Sequence, residues 1–295
     1  MRRQTSLCCL VASLFLVAPG AASARLLEEQ IDVPVRVRDA WGKEAAQNIR
    51  VTVFSDDANP RPAPIAILNH GRATSAEARA RLGRARFVDA SRYFVQRGFV
   101  VAVPTRVGYG VSGGPDVEDT GACNSRNFAP GFAAAADQSL AVLAAVRQRP
   151  DVAPDSVLAV GQSFGGASTV ALAAMNPSGL GAAINFAGGS GGDPVGRPQN
   201  PCSSARLEKV YRDYGVQARV PMLWIYAEND QFFGGKLPRE WHAAFVQAGG
   251  TAKFVQVPPH GDDGHLLFNQ FPQVWQPLVS EFLDSHGFAP PGGRK

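Results

Sequence analysis

The sequence lacks the features that mark many nucleic-acid-binding and metal-binding proteins. Its 29 basic and 25 acidic residues give the 295-residue chain a net charge of only +4, which is too little to favour nucleic acid or an anionic membrane as a partner. Histidine occurs five times and cysteine four times, and no group of them has the spacing of a zinc site. We therefore expect no metal, no nucleic-acid partner and, for the mature chain, no membrane partner.

Long hydrophobic runs are scarce as well. The apolar stretch Leu7–Val17 follows Arg2 and Arg3, and it is shorter than the roughly 20 residues that span a bilayer. The small residues Ala22-Ser23-Ala24 after it form a pattern typical of signal-peptide cleavage. The sequence therefore predicts a signal peptide at 1–24, a single domain at 25–295 and a secreted or periplasmic protein. A retained membrane anchor is the alternative.

Cysteine is rare enough to be followed residue by residue. Cys8 and Cys9 fall inside the predicted signal peptide, which leaves Cys123 and Cys202 in the mature chain. An even pair of cysteines in an exported protein favours a disulfide bond over a metal site. We therefore predict a bond between Cys123 and Cys202, with two free thiols as the alternative.

Strand-like and helix-like segments alternate along the rest of the chain, without internal repeats. The first two strand-like segments alternate polar and apolar residues with no helix between them, which suits an antiparallel hairpin at a sheet edge. The later ones are continuous apolar runs, as in parallel strands covered on both faces. This pattern predicts an α/β fold. The predicted strands are Ile31–Val37, Ile49–Phe54, Ile65–Leu68, Phe99–Val103, Val157–Val160, Ala182–Phe186, Met222–Tyr226 and Phe254–Val257, and the predicted helices are Phe87–Arg97, Ala133–Arg147, Phe164–Met175, Ser203–Tyr214, Pro238–Ala248 and Phe271–Ser285.

One serine stands at the junction of a predicted strand and a predicted helix. The segment Gly161-Gln162-Ser163-Phe164-Gly165 matches the G-x-S-x-G nucleophile elbow, in which a sharp turn lifts the serine hydroxyl clear of the sheet. Side chains at the flanking glycines would clash across such a turn. The N–H groups at the start of the following helix point to the same space, where an oxyanion would be stabilised. The pattern predicts that Ser163 is a nucleophile.

A serine nucleophile needs a base that is itself oriented by an acid. The chain order in folds with this elbow is serine, acid, histidine. Glu228 and Asp230 both follow the strand Met222–Tyr226, and His260 and His265 both follow the last strand. The position of His265 directly before the closing helix favours it, since a loop there can hold the imidazole over Ser163. Loop reach alone leaves both choices open.

Several motifs together resemble the α/β-hydrolase superfamily and, within it, the dienelactone-hydrolase-like group. They are Asn69-His70-Gly71, the stretch Arg106–Gly113, the elbow, Tyr226–Asp230 and Asp263-Gly264-His265, and they extend over essentially the whole mature chain. The resemblance implies an α/β-hydrolase fold: a mostly parallel eight-stranded sheet with helices on both faces.

The same resemblance implies roles for particular residues. It assigns the acid to Asp230 and the base to His265, and it implies an oxyanion hole formed by the backbone N–H groups of Phe164 and Arg72. It implies no cofactor. Dienelactone hydrolases proper use a cysteine nucleophile where this sequence has Ser163, which favours the hydrolysis of ordinary esters.

Two loops limit the possible functions further. Gly108, Gly110 and Gly113 fit the dinucleotide pattern G-x-G-x-x-G, but no helix is predicted to begin after them and receive a pyrophosphate, so we expect no nucleotide cofactor. About 16 residues separate the sixth strand from the helix Ser203–Tyr214, which is too few for a large lid domain.

These observations together predict a serine hydrolase. It would cleave a small-molecule carboxylic ester through an acyl-enzyme intermediate, with Ser163, Asp230 and His265 as its triad. A serine peptidase on the same fold and a non-catalytic binding module on a hydrolase scaffold are the alternatives, because fold does not fix function.

Overall fold

The computed structural model describes residues 26–290, so the predicted signal peptide at 1–24 lies outside the described residues. Eight strands form one sheet in the order β1-β2-β4-β3-β5-β6-β7-β8. The pairs β1–β2 and β2–β4 are antiparallel, and every other pair is parallel. The strands are β1 (Leu27–Arg38), β2 (Glu44–Ser55), β3 (Ala63–Asn69), β4 (Val100–Pro104), β5 (Val152–Gln162), β6 (Leu180–Phe186), β7 (Met222–Ala227) and β8 (Ala252–Val257). The predicted eight-stranded, mostly parallel sheet is confirmed.

Eight α-helices accompany these strands in the described part of the chain. They are α1 (Ala76–Ala80), α2 (Val88–Gln96), α3 (Phe128–Val146), α4 (Phe164–Ala174), α5 (Ser204–Gln217), α6 (Leu237–Gln247), α7 (Leu267–Gln270) and α8 (Pro272–Ser285). All six predicted helices are present. The short helices α1 and α7 were not predicted, because each is shorter than two helical turns and carries no periodic pattern.

The edge hairpin shows why the first two strands alternate in sequence. Along the second half of β1, Val33, Val35 and Val37 are buried while the residues between them are exposed. Val33 lies opposite Ile49 and Val35 opposite Gln47 in the antiparallel register. Only one face of this edge is covered, so the polar residues face solvent.

The buried parts of the central strands are almost entirely apolar because helices cover both faces of the sheet. All five residues of β4 are buried. Successive residues of β5 face different cores: Val157 packs in the core that includes residues of α3 to α6, and Leu158 in the core that includes residues of α2, α7 and α8. Helix α3 is the one described helix that is long and apolar enough to cross a membrane, and 11 of its residues are buried, including Phe132 and Leu143.

The parallel arrangement brings four loops to one edge of the sheet. The chain leaves β3, β5, β7 and β8 at their carboxyl ends, and in open α/β sheets this edge is where ligand sites form. Arg72 follows β3, Ser163 follows β5, Asp230 follows β7 and His265 follows β8. The segment from β6 to α5 contains no helix, in agreement with the prediction that no large lid domain is present.

Candidate active site

Ser163 occupies a strained turn between β5 and α4. Its backbone has φ 58° and ψ −125°, outside the regions that residues with side chains normally adopt. A Cβ atom at Gly161 would overlap the carbonyl group of Gly165, and one at Gly165 would overlap the carbonyl group of Asn69. The glycines on either side of the serine are therefore required by close backbone contacts, as the sequence pattern implied.

The side chains of Ser163, His265 and Asp230 form one continuous hydrogen-bonded chain. The Ser163 Oγ lies 2.8 Å from His265 Nε2, and His265 Nδ1 lies 2.9 Å from Asp230 Oδ2. Asp230 is fully buried and His265 is 3% exposed. With Nδ1 donating to the carboxylate, Nε2 is free to accept the serine proton.

The two partners of Ser163 are each fixed by further contacts. Asp230 Oδ1 accepts the backbone N–H groups of Phe232 (2.8 Å) and Phe233 (2.9 Å). The ring of Phe232 stacks on that of His265 at a centroid distance of 4.0 Å. Asp263 Oδ1 accepts the backbone N–H groups of both His265 and Gln231, each at 2.9 Å, and so ties the two loops together.

The alternative acid and base lie away from Ser163. Glu228 is exposed. His260 is half-buried, its Nδ1 lies 2.7 Å from the carbonyl of Pro258, and its backbone N–H donates to Asn229 Oδ1 at 3.0 Å. Thus the structure brings Asp230 and His265 to Ser163, and it does not bring Glu228 or His260 there.

The loop after β3 passes directly beside the serine. A Cβ atom at Gly71 would lie 2.8 Å from Gln162 Oε1 and 3.1 Å from Ser163 Cβ, so glycine at this position lets the loop approach Ser163 closely without displacing either side chain. Arg72 follows it, and Phe164 is the first residue of α4, where a backbone N–H has no acceptor within the helix. Arg72 and Phe164 both border a cavity that also contains Ser163. Their N–H groups as oxyanion donors stay a prediction.

A network of mostly buried charged and aromatic side chains holds this loop in place. Arg106 and Glu118 are fully buried and form an ion pair through Arg106 Nε and Glu118 Oε1. Arg106 Nη1 also donates to the carbonyl of His70 at 2.7 Å, and the Tyr109 hydroxyl donates to Glu118 Oε2 at 2.5 Å. Arg72 in turn makes two 2.6 Å hydrogen bonds to the carboxylate of Asp116.

The same network fixes the protonation of His70. The backbone N–H of Arg106 lies 3.3 Å from His70 Nε2, so this nitrogen accepts and Nδ1 carries the proton, which it donates to the carbonyl of Gly71 at 2.7 Å. Burial, together with the charge of Arg106, holds the pKa of His70 well below its ordinary value. His70 is therefore a neutral group that helps to hold this loop.

Sequence reasoning missed most of this network. Of its members only Tyr109 lies in the glycine-rich stretch Gly108–Gly113 that fits the dinucleotide pattern, and Arg106 and Glu118 lie on either side of it. The stretch contains a short 3-10 turn at Gly110–Ser112. The usable signal was Arg106, the one charged residue between Val100 and Pro115, because a charged residue in such an apolar and glycine-rich stretch is buried only when it is paired.

Two cavities meet at Ser163. The first, which we call the arginine cavity, has a volume of about 230 Å³, and the second, the histidine cavity, about 270 Å³. Ser163, Arg72 and Phe232 border both. The arginine cavity is further lined by Thr74, Asp119, Arg126 and Ser190, and the histidine cavity by His70, Leu82, Phe87, His265 and Asn269. An ester bound at Ser163 can place its acyl part in one cavity and its alcohol part in the other.

A disulfide bond joins Cys123 and Cys202, whose Cα atoms are 4.8 Å apart. The residues next to these cysteines belong to two walls of the arginine cavity. Gly121 and Arg126 lie on one wall, and on the other the carbonyl of Gly191 accepts the N–H of Cys202 at 2.9 Å. The disulfide therefore links the two walls of the cavity beside Ser163.

Known structures share this architecture. This chain is similar to a structure described as a putative dienelactone hydrolase from Klebsiella pneumoniae. The match covers 88% of this chain and 99% of that one, with a TM-score of 0.56 and 17% sequence identity. Est1E from Butyrivibrio proteoclasticus, solved with ferulic acid bound, matches over 81% of this chain and 96% of its own (TM-score 0.57, 19% identity). An acetyl xylan esterase from Paenibacillus sp. R4 matches over 89% of both chains (TM-score 0.59, 13% identity). At these identities the similarity establishes the fold.

Family membership comes from the sequence itself. No curated protein matches this chain at a significant level. The model of the dienelactone hydrolase family matches residues 82–271, a range that contains Ser163, Asp230 and His265 but begins after the loop of Arg72. The chain therefore belongs to the dienelactone hydrolase family and is an ester hydrolase.

Proposed function

We propose that the protein is a serine esterase in which Ser163 is the nucleophile, His265 the general base and Asp230 the group that orients the imidazole. The observation that carries the proposal is the unbroken chain of hydrogen bonds, 2.8 Å from Ser163 to His265 and 2.9 Å from His265 to Asp230. A buried carboxylate beside Nδ1 selects the tautomer whose Nε2 can take the serine proton, and it stabilises the imidazolium that forms.

The first half of the reaction makes the acyl-enzyme. The Ser163 Oγ attacks the ester carbonyl carbon as its proton passes to His265 Nε2. The carbonyl oxygen becomes an oxyanion, which we assign to the backbone N–H groups of Phe164 and Arg72. The tetrahedral intermediate then collapses, the bond to the alcohol oxygen breaks, and His265 returns its proton to that oxygen. The free alcohol leaves, and the acyl group remains on Ser163.

The second half repeats this chemistry with water. His265 takes a proton from a water molecule as the water oxygen attacks the acyl carbon, and the same N–H groups hold the oxyanion. Collapse of this second intermediate breaks the bond to Ser163 Oγ, which recovers its proton from His265. The carboxylic acid leaves, and the enzyme returns to its starting state.

We also propose that the protein acts in an oxidising compartment, either the periplasm or outside the cell. The disulfide between Cys123 and Cys202 supports this, because such bonds persist mainly in oxidising environments. The apolar N-terminal run between Arg3 and Ala22 has the composition of a signal peptide.

Labelling with a fluorophosphonate tests the nucleophile. The reagent should modify Ser163, and mass spectrometry should locate the adduct on the peptide that contains it. The Ser163→Ala variant should not be labelled, whereas Ser178→Ala, which changes an exposed serine, should be labelled like the wild type. An adduct on another residue would contradict the proposal.

Turnover separates the remaining candidate functions. A release of alcohol from a chromogenic ester supports the esterase. Cleavage of peptides with no cleavage of esters would favour a peptidase, and substrate binding without either reaction would favour a binding module.

A further inference from the structure

The position of His265 indicates which part of the substrate lies in each cavity. This inference rests on the proposed function. His265 must give its proton to the oxygen of the leaving alcohol, so the alcohol part lies where the imidazole is accessible. Among the described residues, His265 borders the histidine cavity and does not border the arginine cavity. The acyl part of the ester therefore occupies the arginine cavity.

Arg126 is the residue of that cavity whose bonding is incomplete. Its Nη1 donates to Thr120 Oγ1 at 2.7 Å, but its buried Nε has no hydrogen-bond partner. No ion pair joins its guanidinium to a carboxylate in residues 26–290, in contrast to Arg72, which Asp116 binds at two nitrogens. A guanidinium presents five N–H donors in a planar array that matches a carboxylate.

The charges around Arg126 leave its positive charge poorly compensated. Burial and the positive charge of Arg72 lower the pKa of Arg126; Arg197 acts in the same direction, and Asp119 acts against it. Arg197 Nε lies 3.6 Å from Asp193 Oδ2, and this pairing limits the effect of the Arg197 charge on the pKa of Arg126. Asp119 lines the same cavity, but its Oδ1 is engaged by the N–H of Gly121 at 2.9 Å. An added anion would therefore be stabilised at this point of the cavity.

We propose that the arginine cavity binds an acyl group that ends in a carboxylate, so that the preferred substrates are half-esters of short dicarboxylic acids. The free carboxylate accepts hydrogen bonds from the Arg126 guanidinium, and the hydroxyl groups of Thr74 and Ser190 border the same space. The cavity volume of about 230 Å³ restricts the acyl group to a short chain. Arg126 is in this proposal a specificity-determining residue.

Two matched esters test this assignment. Mono-p-nitrophenyl glutarate carries a terminal carboxylate, and p-nitrophenyl pentanoate has a neutral methyl group in a chain of the same length. The wild-type enzyme should show the higher kcat/KM for the glutarate half-ester. Arg126→Gln should lower kcat/KM for that substrate about 10- to 100-fold, chiefly through KM, as expected for the loss of a charge-assisted hydrogen bond. The effect on the pentanoate should be much smaller.

Three further variants separate a local effect of Arg126 from a general effect of charge. Asp119→Asn removes the carboxylate that opposes the substrate, so it should raise kcat/KM for the half-ester. Arg212→Gln removes an exposed arginine on α5 that pairs with Glu208, and it should leave the ratio of the two substrates unaltered. Arg126→Lys keeps a positive charge and should retain part of the preference.

The outcomes are distinct. A wild type that prefers the neutral ester, or an Arg126→Gln variant that loses both esters equally, would overturn the assignment of the cavity while the esterase proposal stands. Failure of the proposed function would look different: neither ester would be cleaved, and Ser163 would not react with the fluorophosphonate.

Discussion

The two sides of Ser163 are held in place by different interactions. On the acid–base side, Asp230 and His265 are oriented by backbone N–H groups and by Asp263. The other side consists of the loop His70–Arg72 and its supports, and we call it the oxyanion side after the oxyanion hole that we propose there. An ion pair between two fully buried residues, Arg106 and Glu118, holds this loop. A change on the acid–base side should therefore remove the chemistry and spare the fold, whereas a change on the oxyanion side should affect both.

The largest effect should come from the acid–base side. We expect His265→Ala and Ser163→Ala each to lower kcat for an ester by roughly 10⁴-fold or more, because both belong to the proposed triad and the members of a triad act as a unit. Asp230→Asn should come close to this, since it favours the wrong tautomer of the imidazole. Steady-state kinetics with a chromogenic ester measure the loss, and circular dichroism checks that the fold is retained.

The two alternatives from the sequence provide matched controls. His260→Ala and Glu228→Gln change residues of the same types in the same two loops, and most activity should survive both. An inactive His260→Ala variant beside an active His265→Ala variant would contradict the assignment of the base.

The acid–base side was largely predictable from the sequence. The strand pattern placed β5, β7 and β8, and the elbow and the order of residues reduced the triad to one serine, two acids and two histidines. The residues alone did not distinguish Asp230 from Glu228 or His265 from His260, because the conformation of each loop decides which side chain reaches Ser163. Asn229 holds the loop of His260 through its side chain, and Asp263 holds that of His265; neither contact has a sequence pattern of its own.

The oxyanion side was much less predictable. Glycine marks the turns of the loop after β4, but it says nothing about which charged side chains point inward. Arg106 and Glu118 pair across 12 residues of irregular chain, where no helical or strand period applies. The contact between Arg106 and the His70 carbonyl joins loops 36 residues apart and follows from the tertiary fold alone.

The second-largest effect should come from the buried ion pair. Glu118→Gln keeps the shape of the side chain but leaves the Arg106 charge without its partner, which typically lowers the free energy of unfolding by about 3–5 kcal/mol. Urea denaturation measures this change. Because the loop of Arg72 also loses its support, we expect kcat to fall as well, by about 10²-fold if one oxyanion donor is displaced.

An exposed ion pair gives the matched control. Glu208→Gln breaks the pair between Glu208 and Arg212 on the surface of α5, and surface pairs contribute only about 0–1 kcal/mol. If Glu118→Gln were as mild as Glu208→Gln, the oxyanion side would not depend on its buried charges, and the contrast between the two sides of Ser163 would disappear.

A smaller effect should follow from reduction of the disulfide. The bond between Cys123 and Cys202 closes a loop with a sequence separation of 79, for which the loop-entropy model gives at most about 4.5 kcal/mol, while measured values are typically 2–4 kcal/mol. The Cys123→Ser/Cys202→Ser variant should therefore have a lower Tm. The bond touches neither side of Ser163 directly, so kcat should change less than KM. Titration of the unfolded, unreduced mature protein should find no free thiol, and two reactive thiols would contradict the bond.

The smallest effect concerns the pH dependence of stability on the oxyanion side. The pKa of folded His70 lies well below its ordinary value, whereas in the unfolded chain it should be about 6.5. Below pH 6.5 the unfolded state therefore binds a proton that the folded state does not. This contribution to stability is complete above pH 6.5 and is lost as the pH falls, with a slope of at most about 1.4 kcal/mol per pH unit.

Replacement of His70 isolates this contribution from all other titrating groups. We expect the free energy of unfolding of His70→Gln to decline less steeply between pH 6.5 and 5 than that of the wild type, as measured by urea denaturation at several pH values. His242 provides a weaker case for comparison, since burial lowers its pKa too but its side chain is only half-buried. His242→Gln should therefore reduce the slope of the free energy of unfolding against pH by less than His70→Gln does. Parallel curves for the wild type and His70→Gln would mean that His70 is protonated in the fold. Its Nε2 could then no longer accept the N–H of Arg106, and that contact would not hold the oxyanion side in solution.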